Sequence, residues 1–249
     1  MSELRITSRQ NSRIQQLKKL LTSRKEREKT GLFVADGTKL LAEAVKWWPS
    51  LETVVLSDGV DVALPDGVEV LRVPSEIMAY VSPMETPQGA LFVCRLPEKA
   101  ELTAKPGMLV LDGIQDPGNL GTILRTADAL EVPVVLLEGC ADPFSHKVVR
   151  ASMGAVFRTP VVQSTWQTLQ VCCREAGIPL GVTALSNRAE DIRNADLKVM
   201  AVVIGSDGQG VRREILDAAD RELIIPMNPN CESLNAAVAA TIVMWQMKV

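Results

Sequence analysis

The stretch MLVLDGIQDPGNLGTILRTADALEVPVVLL, residues 108–137, decides the fold class. Residues 108–111 form a short, continuous apolar run, the length of a buried strand. Residues 120–130 carry apolar side chains at helical spacing, and 132–137 are apolar again, with Pro133 near the start. Strand, Asp116-Pro117-Gly118 turn, helix and second strand make a βαβ unit, which requires parallel strands. The alternation continues to the end of the chain. Residues 156–162, 178–185, 199–204 and 223–225 read as strands. Residues 147–153, 166–176, 211–219 and 234–247 read as helices. Continuous apolar strands between helices predict a parallel sheet covered on both faces, with ligands beyond the carboxyl ends of its strands.

Working outward, residues 1–95 read as a separate small α/β/α unit. Its strands are expected at 32–35, 53–56, 68–73 and 90–94, with a helix at 75–80 and an apolar helical stripe of Leu40, Leu41, Ala44 and Val45. The polar stretch LPEKAELTAKPG, 96–107, reads as a linker. The predicted domains are therefore 1–95, linker 96–107, and 108–249. A chain of 249 residues with 47% hydrophobic and 23% charged residues is long enough for two such cores and is not a disordered chain.

Charge is uneven. The net charge is −3, so overall basicity does not argue for a nucleic-acid partner. Yet residues 1–30 hold nine Lys and Arg against three acids, +6, which leaves −9 for the other 219 residues. A basic head on an acidic body suggests contact with a polyanion. Ile14, Leu17, Leu20 and Leu21 recur at helical spacing, so one face of this head packs and the other is basic. No aromatic residue precedes Phe33, which favours phosphate contact over base stacking. The single histidine, His146, excludes chemistry that needs two, and reads as a structural or surface residue. The cysteines (Cys94, Cys140, Cys172, Cys173, Cys231) contain no C-x-x-C pair, which argues against a disulfide framework or a zinc site and for a reducing cytosol. No signal peptide, membrane span or metal site is expected. Met153 and Met244 read as core, and Trp47-Trp48 as closing a core or a domain interface.

Three loops follow strands and concentrate Gly, Asn, Asp and Pro. In the first, 111–130, Asn119 can cap the helix and Arg125 can pair with a surface acid. In the second, Gly205 to Gly210 (GSDGQG), three glycines at a strand-to-helix turn suggest backbone amides facing a ligand. In the third, 225–245, Ser233 reads as the N-cap of a helix apolar nearly all round, which is either deeply buried or packed against another subunit.

LDGIQDPGNLGTILRTADAL, IGSDGQG and IPMNPNCESLNAAVAATI, in this order, resemble motifs 1, 2 and 3 of the SpoU (TrmH-type) RNA ribose 2′-O-methyltransferases. HKVVRASMGAVFRTPVV, 146–162, also resembles the family. NSRIQQLKKL and GLFVADGTKLLAEAV, within 11–45, resemble its small N-terminal RNA-binding domain of L30e-like fold. The resemblance implies an α/β protein whose C-terminal parallel-sheet domain is an α/β-knot, a deep trefoil knot, which periodicity alone would never suggest. It implies S-adenosyl-L-methionine as cofactor, a homodimer, and an RNA substrate, ribosomal RNA ahead of tRNA and 23S ahead of 16S. A catalytically silent RNA-binding or assembly protein is the alternative outside the enzyme class. Asn119, Arg125, Ser233 and Asn235 match the polar catalytic positions. Thr183, Ala184, Gly205, Asp207, Gly210, Ile225, Met227 and Leu234 match the cofactor site. Asp207 and Asp36 each stand where the family commonly has Glu, so each carries its charge on a shorter arm.

Overall fold

The computed structural model describes residues 3–249 and divides them into two compact units. The first begins with strand β1 (Glu3–Arg5). Helix α1 (Ser12–Thr22) buries Ile14, Leu17, Leu20 and Leu21, the four positions that its spacing predicts. Ser23 ends α1 and caps helix α2 (Arg24–Thr30) by accepting the Glu26 amide, so the basic head is two helices. Gly31, at φ +68, turns the chain into β2 (Leu32–Asp36). Helix α3 (Thr38–Trp47), β3 (Leu51–Ser57), β4 (Glu69–Val73), α4 (Ser75–Val81) and β5 (Ala90–Arg95) follow. The sheet order is β1-β4-β3-β5-β2. β1, β4 and β3 are parallel, while β5 runs antiparallel to both β3 and β2.

The second unit opens with β6 (Met108–Asp112), α5 (Pro117–Leu130) and β7 (Val134–Leu136), the βαβ unit that the sequence predicts. Residues 142–158, including helix α6 (His146–Ala151), then belong to the first unit. The second resumes with β8 (Val162–Gln163), α7 (Trp166–Ala176), β9 (Leu180–Thr183), β10 (Glu190–Asp191), β11 (Ala201–Gly205), α8 (Arg213–Asp217), β12 (Arg221–Ile224) and α9 (Ala236–Gln246). All seven strands are parallel, in the order β10-β12-β9-β11-β6-β7-β8. From β6 the chain winds outward through β7 to β8, then returns to build the other side. The reversal leaves a switch point at the carboxyl ends of β6 and β11.

The compact units depart from the expected boundaries in two places, and one expected strand is absent. First, residues 142–158, within the expected 108–249, compact with the first unit. Phe144 and Phe157 pack with Phe33 at ring-centroid distances of 5.2 and 6.4 Å, and Trp48 lies 5.7 Å from Phe157. Asp142 is held by the buried Arg27 guanidinium, with Nη2 at 2.6 Å. The aromatic cluster and the ion pair explain why 142–158 compacts with residues up to 98. Second, most of the linker 96–107 belongs to the second unit, because Leu102 and Ala104 pack on the core of Met108, Leu169 and Val203. Third, 156–162 is not a strand. Gly154 at φ +84 starts a 3₁₀ turn, Ala155–Phe157, whose side chains are buried, and only Val162–Gln163 pairs with β7. Periodicity cannot separate a short apolar run in a strand from one in a turn. Met153, read as core, is 51% exposed at φ +51, whereas Met244 is fully buried. Trp48 joins the aromatic core, and Trp47 is exposed. His146 places Nδ1 3.1 Å from the Leu21 carbonyl, a structural contact, and burial lowers its pKa.

Phe33→Ala should lower the unfolding free energy by about 3–5 kcal/mol, through lost apolar contact and a cavity. Urea denaturation reads this. The double variant with Phe144→Ala should cost less than the two single losses together, because the rings share contacts.

Candidate active site

The three loops leave the carboxyl ends of β6, β11 and β12, on one edge of the second unit. Local capping decides which side chains are free to meet. Asp116, not Asn119, caps α5 by accepting the Asn119 amide at 2.7 Å, with Pro117 in the first turn. Asp116 takes that place because Pro117 has a helix-ready φ and needs no amide partner. The Asn119 side chain is thereby released. Its Nδ2 donates to Asp207 Oδ2 at 2.6 Å, and its Oδ1 accepts from Asn235 Nδ2 at 3.0 Å.

At the third loop, Asn235 rather than Ser233 is the N-cap. Its Oδ1 accepts from the amides of Ala237 and Val238 at 3.0 and 3.3 Å. The Ala236 amide donates to the other Asp207 oxygen, Oδ1. One carboxylate therefore links all three loops. The shorter arm of Asp207 is sufficient for this task.

The second loop folds back on itself. Ser206 and Gly210 exchange two backbone hydrogen bonds, of 3.2 and 3.0 Å. A Cβ at Gly205 would lie 2.0 Å from the Gly210 carbonyl carbon and 2.2 Å from the Val211 nitrogen. Both are backbone atoms, so this turn admits no side chain at 205. The loop's far end is pinned by a pair that sequence reasoning missed. Asp112, fully buried at the end of β6, accepts the Arg212 amide at 2.8 Å and Arg212 Nε at 2.7 Å. Arg212 also faces Glu138 and Glu214 at 3.3 and 3.1 Å. The only signal in the sequence is a carboxylate at the end of an apolar run.

Beside these loops lies a cavity of about 550 Å³. Thr183, Ala184, Gly205, Asp207, Gly210, Ile225, Met227 and Leu234, the eight expected cofactor positions, all line it, and so does Ser233. Asn119 and Asn235 stand behind Asp207 and do not line it. Arg125 does not line it either. It is exposed on α5, about 9 Å along the helix from Asn119, and makes no ion pair among the described residues. Sequence reasoning also missed Glu222, a cavity-lining acid bonded to the Ser186 hydroxyl and to Arg188 Nη2 at 2.7 Å. Cavity walls of backbone amides, Ile204, Leu223 and Leu234, with carboxylates at the rim, suit a ligand with a flat apolar part and polar or cationic ends.

A family model described as the SpoU rRNA Methylase family matches residues 106–245. One described as the MRM3-like substrate binding domain matches residues 11–91. The chain is 34% identical over 246 residues to the 23S rRNA (guanosine(2553)-2′-O)-methyltransferase RlmP of Bacillus subtilis (strain 168), covering 98% of each chain. It is 29% identical to the human mitochondrial rRNA methyltransferase 3, across 95% of this chain and 72% of the human protein. It is also similar to the crystal structure of an AdoMet-bound rRNA methyltransferase from Sinorhizobium meliloti, with TM-score 0.86, 28% identity, and 98% and 97% of the two chains covered.

Asp207→Ala should unlink the loops without unfolding the sheet. The Ala236 amide should then exchange with solvent about tenfold faster, the effect of a lost cap, while amides of β6 and β11 keep their protection. Amide exchange followed by NMR reads both.

Proposed function

The chain belongs to the SpoU rRNA methylase family, and from that premise we propose that it transfers a methyl group from S-adenosylmethionine to a ribose 2′-hydroxyl of 23S ribosomal RNA. The observation that carries the reading is the cavity, in whose wall all eight expected cofactor positions stand. Its volume lies within the usual 300–1,000 Å³ range of small-molecule sites. The Ser206–Gly210 turn presents backbone groups, Leu223 and Ile225 give an apolar slot, and Glu222 with Arg188 and Asp217 with Arg213 make the polar part of the wall. When bound, S-adenosylmethionine supplies an electrophilic methyl group, so the chain must position the acceptor hydroxyl and provide for loss of its proton, which the substrate phosphate held by Arg125 would take up.

A guanidinium is a poor base, so Arg125 serves as a clamp. Its fork fits a phosphate of the substrate in bidentate fashion, and exposure without an ion-pair partner leaves it open for that contact. Held so, the neighbouring ribose presents its 2′-oxygen. Ser233, at the cavity wall, is within the same loop as Asn235 and orients the ribose. Asn119 and Asn235 act through Asp207, fixing the two helix starts against the glycine loop.

Three further features belong to this proposal. The stretch 226–249 threads through the loops before it, as a trefoil knot. The bonding of the α9 start to both Asn119 and Asp207 supports this reading. The protein works as a homodimer in the cytoplasm on ribosomal RNA. In support of the dimer, Val238 and Trp245 leave 48% and 58% of their surface exposed on the otherwise apolar α9. Residues 1–95 hold the RNA, in keeping with the substrate-binding family matched at residues 11–91.

Arg125→Ala should reduce methyl transfer to 23S rRNA by more than about a hundredfold, the cost of a misplaced acceptor, with the affinity for S-adenosylmethionine unchanged. Gly205→Ala should do the reverse, weakening cofactor affinity because the glycine loop must move. Isothermal titration and tritium transfer separate the two losses. Trp245→Glu should shift the sedimentation coefficient to that of a monomer.

A further inference from the structure

We infer that Tyr80, with Arg9, Gln15 and Lys18, forms a contact site in the first unit for a phosphodiester of the RNA, an assignment that rests on the RNA reading above. Sequence reasoning found no ring near the basic head. The fold brings one from 62 residues away, at the end of α4. Lys18 Nζ stands 3.8 Å from the Tyr80 ring centroid and Arg9 Cζ 5.0 Å from it. Lys18 Nζ also donates to the Tyr80 carbonyl at 3.2 Å. Gln15 Nε2 donates to the Arg9 carbonyl at 2.7 Å and to the Tyr80 hydroxyl at 3.4 Å. Two cations are thus held beside one ring, and the segment that carries Arg9 is tied down by a side-chain amide.

What singles these two out is the state of their neighbours. Arg5 faces Asp58, Arg13 faces Glu69, Arg24 faces Glu28, and Arg27 is buried against Asp142. Among the described residues, Arg9 and Lys18 make no ion pair; a ring and a carbonyl hold them instead. Glu76, one turn before Tyr80, bonds neither cation among the described residues. A ring attracts a cation more weakly than a carboxylate does and leaves its charge available. An incoming phosphate therefore gains two positive charges without breaking an ion pair. Less side-chain freedom is lost on binding, because the ring already fixes the cations. The Tyr80 phenol titrates below its ordinary value, chiefly through the Gln15 hydrogen bond, with Lys18 and Arg9 adding to it, which reports the positive local field.

The test is filter binding of radiolabelled, protein-free 23S rRNA to the full chain over a series of KCl concentrations. In the double variant Arg9→Gln, Lys18→Gln, affinity should fall about tenfold, as for lost charged hydrogen bonds. The slope of log affinity against log salt should become shallower by about 0.8, for one phosphate contact. Tyr80→Leu removes the ring but no charge, and should weaken binding with the slope kept, whereas Tyr80→Phe should match the parent protein. S-adenosylmethionine affinity and melting temperature should be unchanged throughout. A double variant with parental affinity and slope overturns the site. If Tyr80→Leu fails to fold, the double variant decides, since it alters only polar ends at the surface. If the parent protein itself retains no 23S rRNA, the functional reading falls and takes this site with it.

Discussion

The catalytic edge of the second unit is organised by one carboxylate with two acceptors facing different ways. Asp207 receives a side-chain amide from the start of α5 on one oxygen and a backbone amide from the start of α9 on the other. Both donors sit at helix N-termini, where amides lack intrahelical partners and the macrodipole favours negative charge. The carboxylate is therefore held in place by the two elements that it joins. Loss of either contact would leave an amide without a partner and let one helix start drift from the glycine loop. The loop itself has little freedom to follow, because Gly205 already touches backbone and Arg212 is tied to a buried acid. The cavity is thus shaped by contacts outside its own lining.

Much of this was legible in the sequence, and the limits have physical causes. The parallel unit was legible because strands buried on both faces must be apolar throughout. The glycine loop was legible because only glycine tolerates backbone contact at such range. The caps were misassigned. Asp116, Asn119, Ser233 and Asn235 are all competent cap residues, and sequence cannot rank them when they lie three or two apart. The choice follows from Pro117 on one side and from the reach of Asp207 on the other. That segment 142–158 compacts with the first unit was not legible for a related reason. Its apolar positions fit any core, and its destination is decided by Phe33, Trp48 and Arg27, more than 90 residues away in the chain. Pairings of that kind, Asp112 with Arg212 among them, leave no local pattern.

Segment 142–158 also changes what the first unit is. Without it, Phe33 and Trp48 would lose Phe144 and Phe157 and keep only each other, and Arg27 would be a buried cation with no carboxylate, an arrangement that costs several kcal/mol. The first unit is therefore not a detachable head, and excision at residue 95 or 98 would strand Phe144 and Phe157 in water. The role of the basic head has to be probed by changing its charges within the whole chain.

Charge is what the two units divide between them. The net charge is negative, yet the proposed substrate is a polyanion, so its approach depends on where the positive groups stand rather than on their number. Most arginines of the head are neutralised by local acids and act as ties within the fold. Of the three acids in the cavity walls, Glu222 and Asp217 are paired with the lining Arg188 and Arg213, and Asp207 is spent on the two helix starts. Arg125 lies outside the cavity, on the helix whose start Asp207 fixes. On the proposed reading, a phosphate held there would stand clear of the cavity while its ribose could still reach it. Such an arrangement would select for orientation: the backbone of the substrate would be retained at the guanidinium, and the sugar hydroxyl alone would enter.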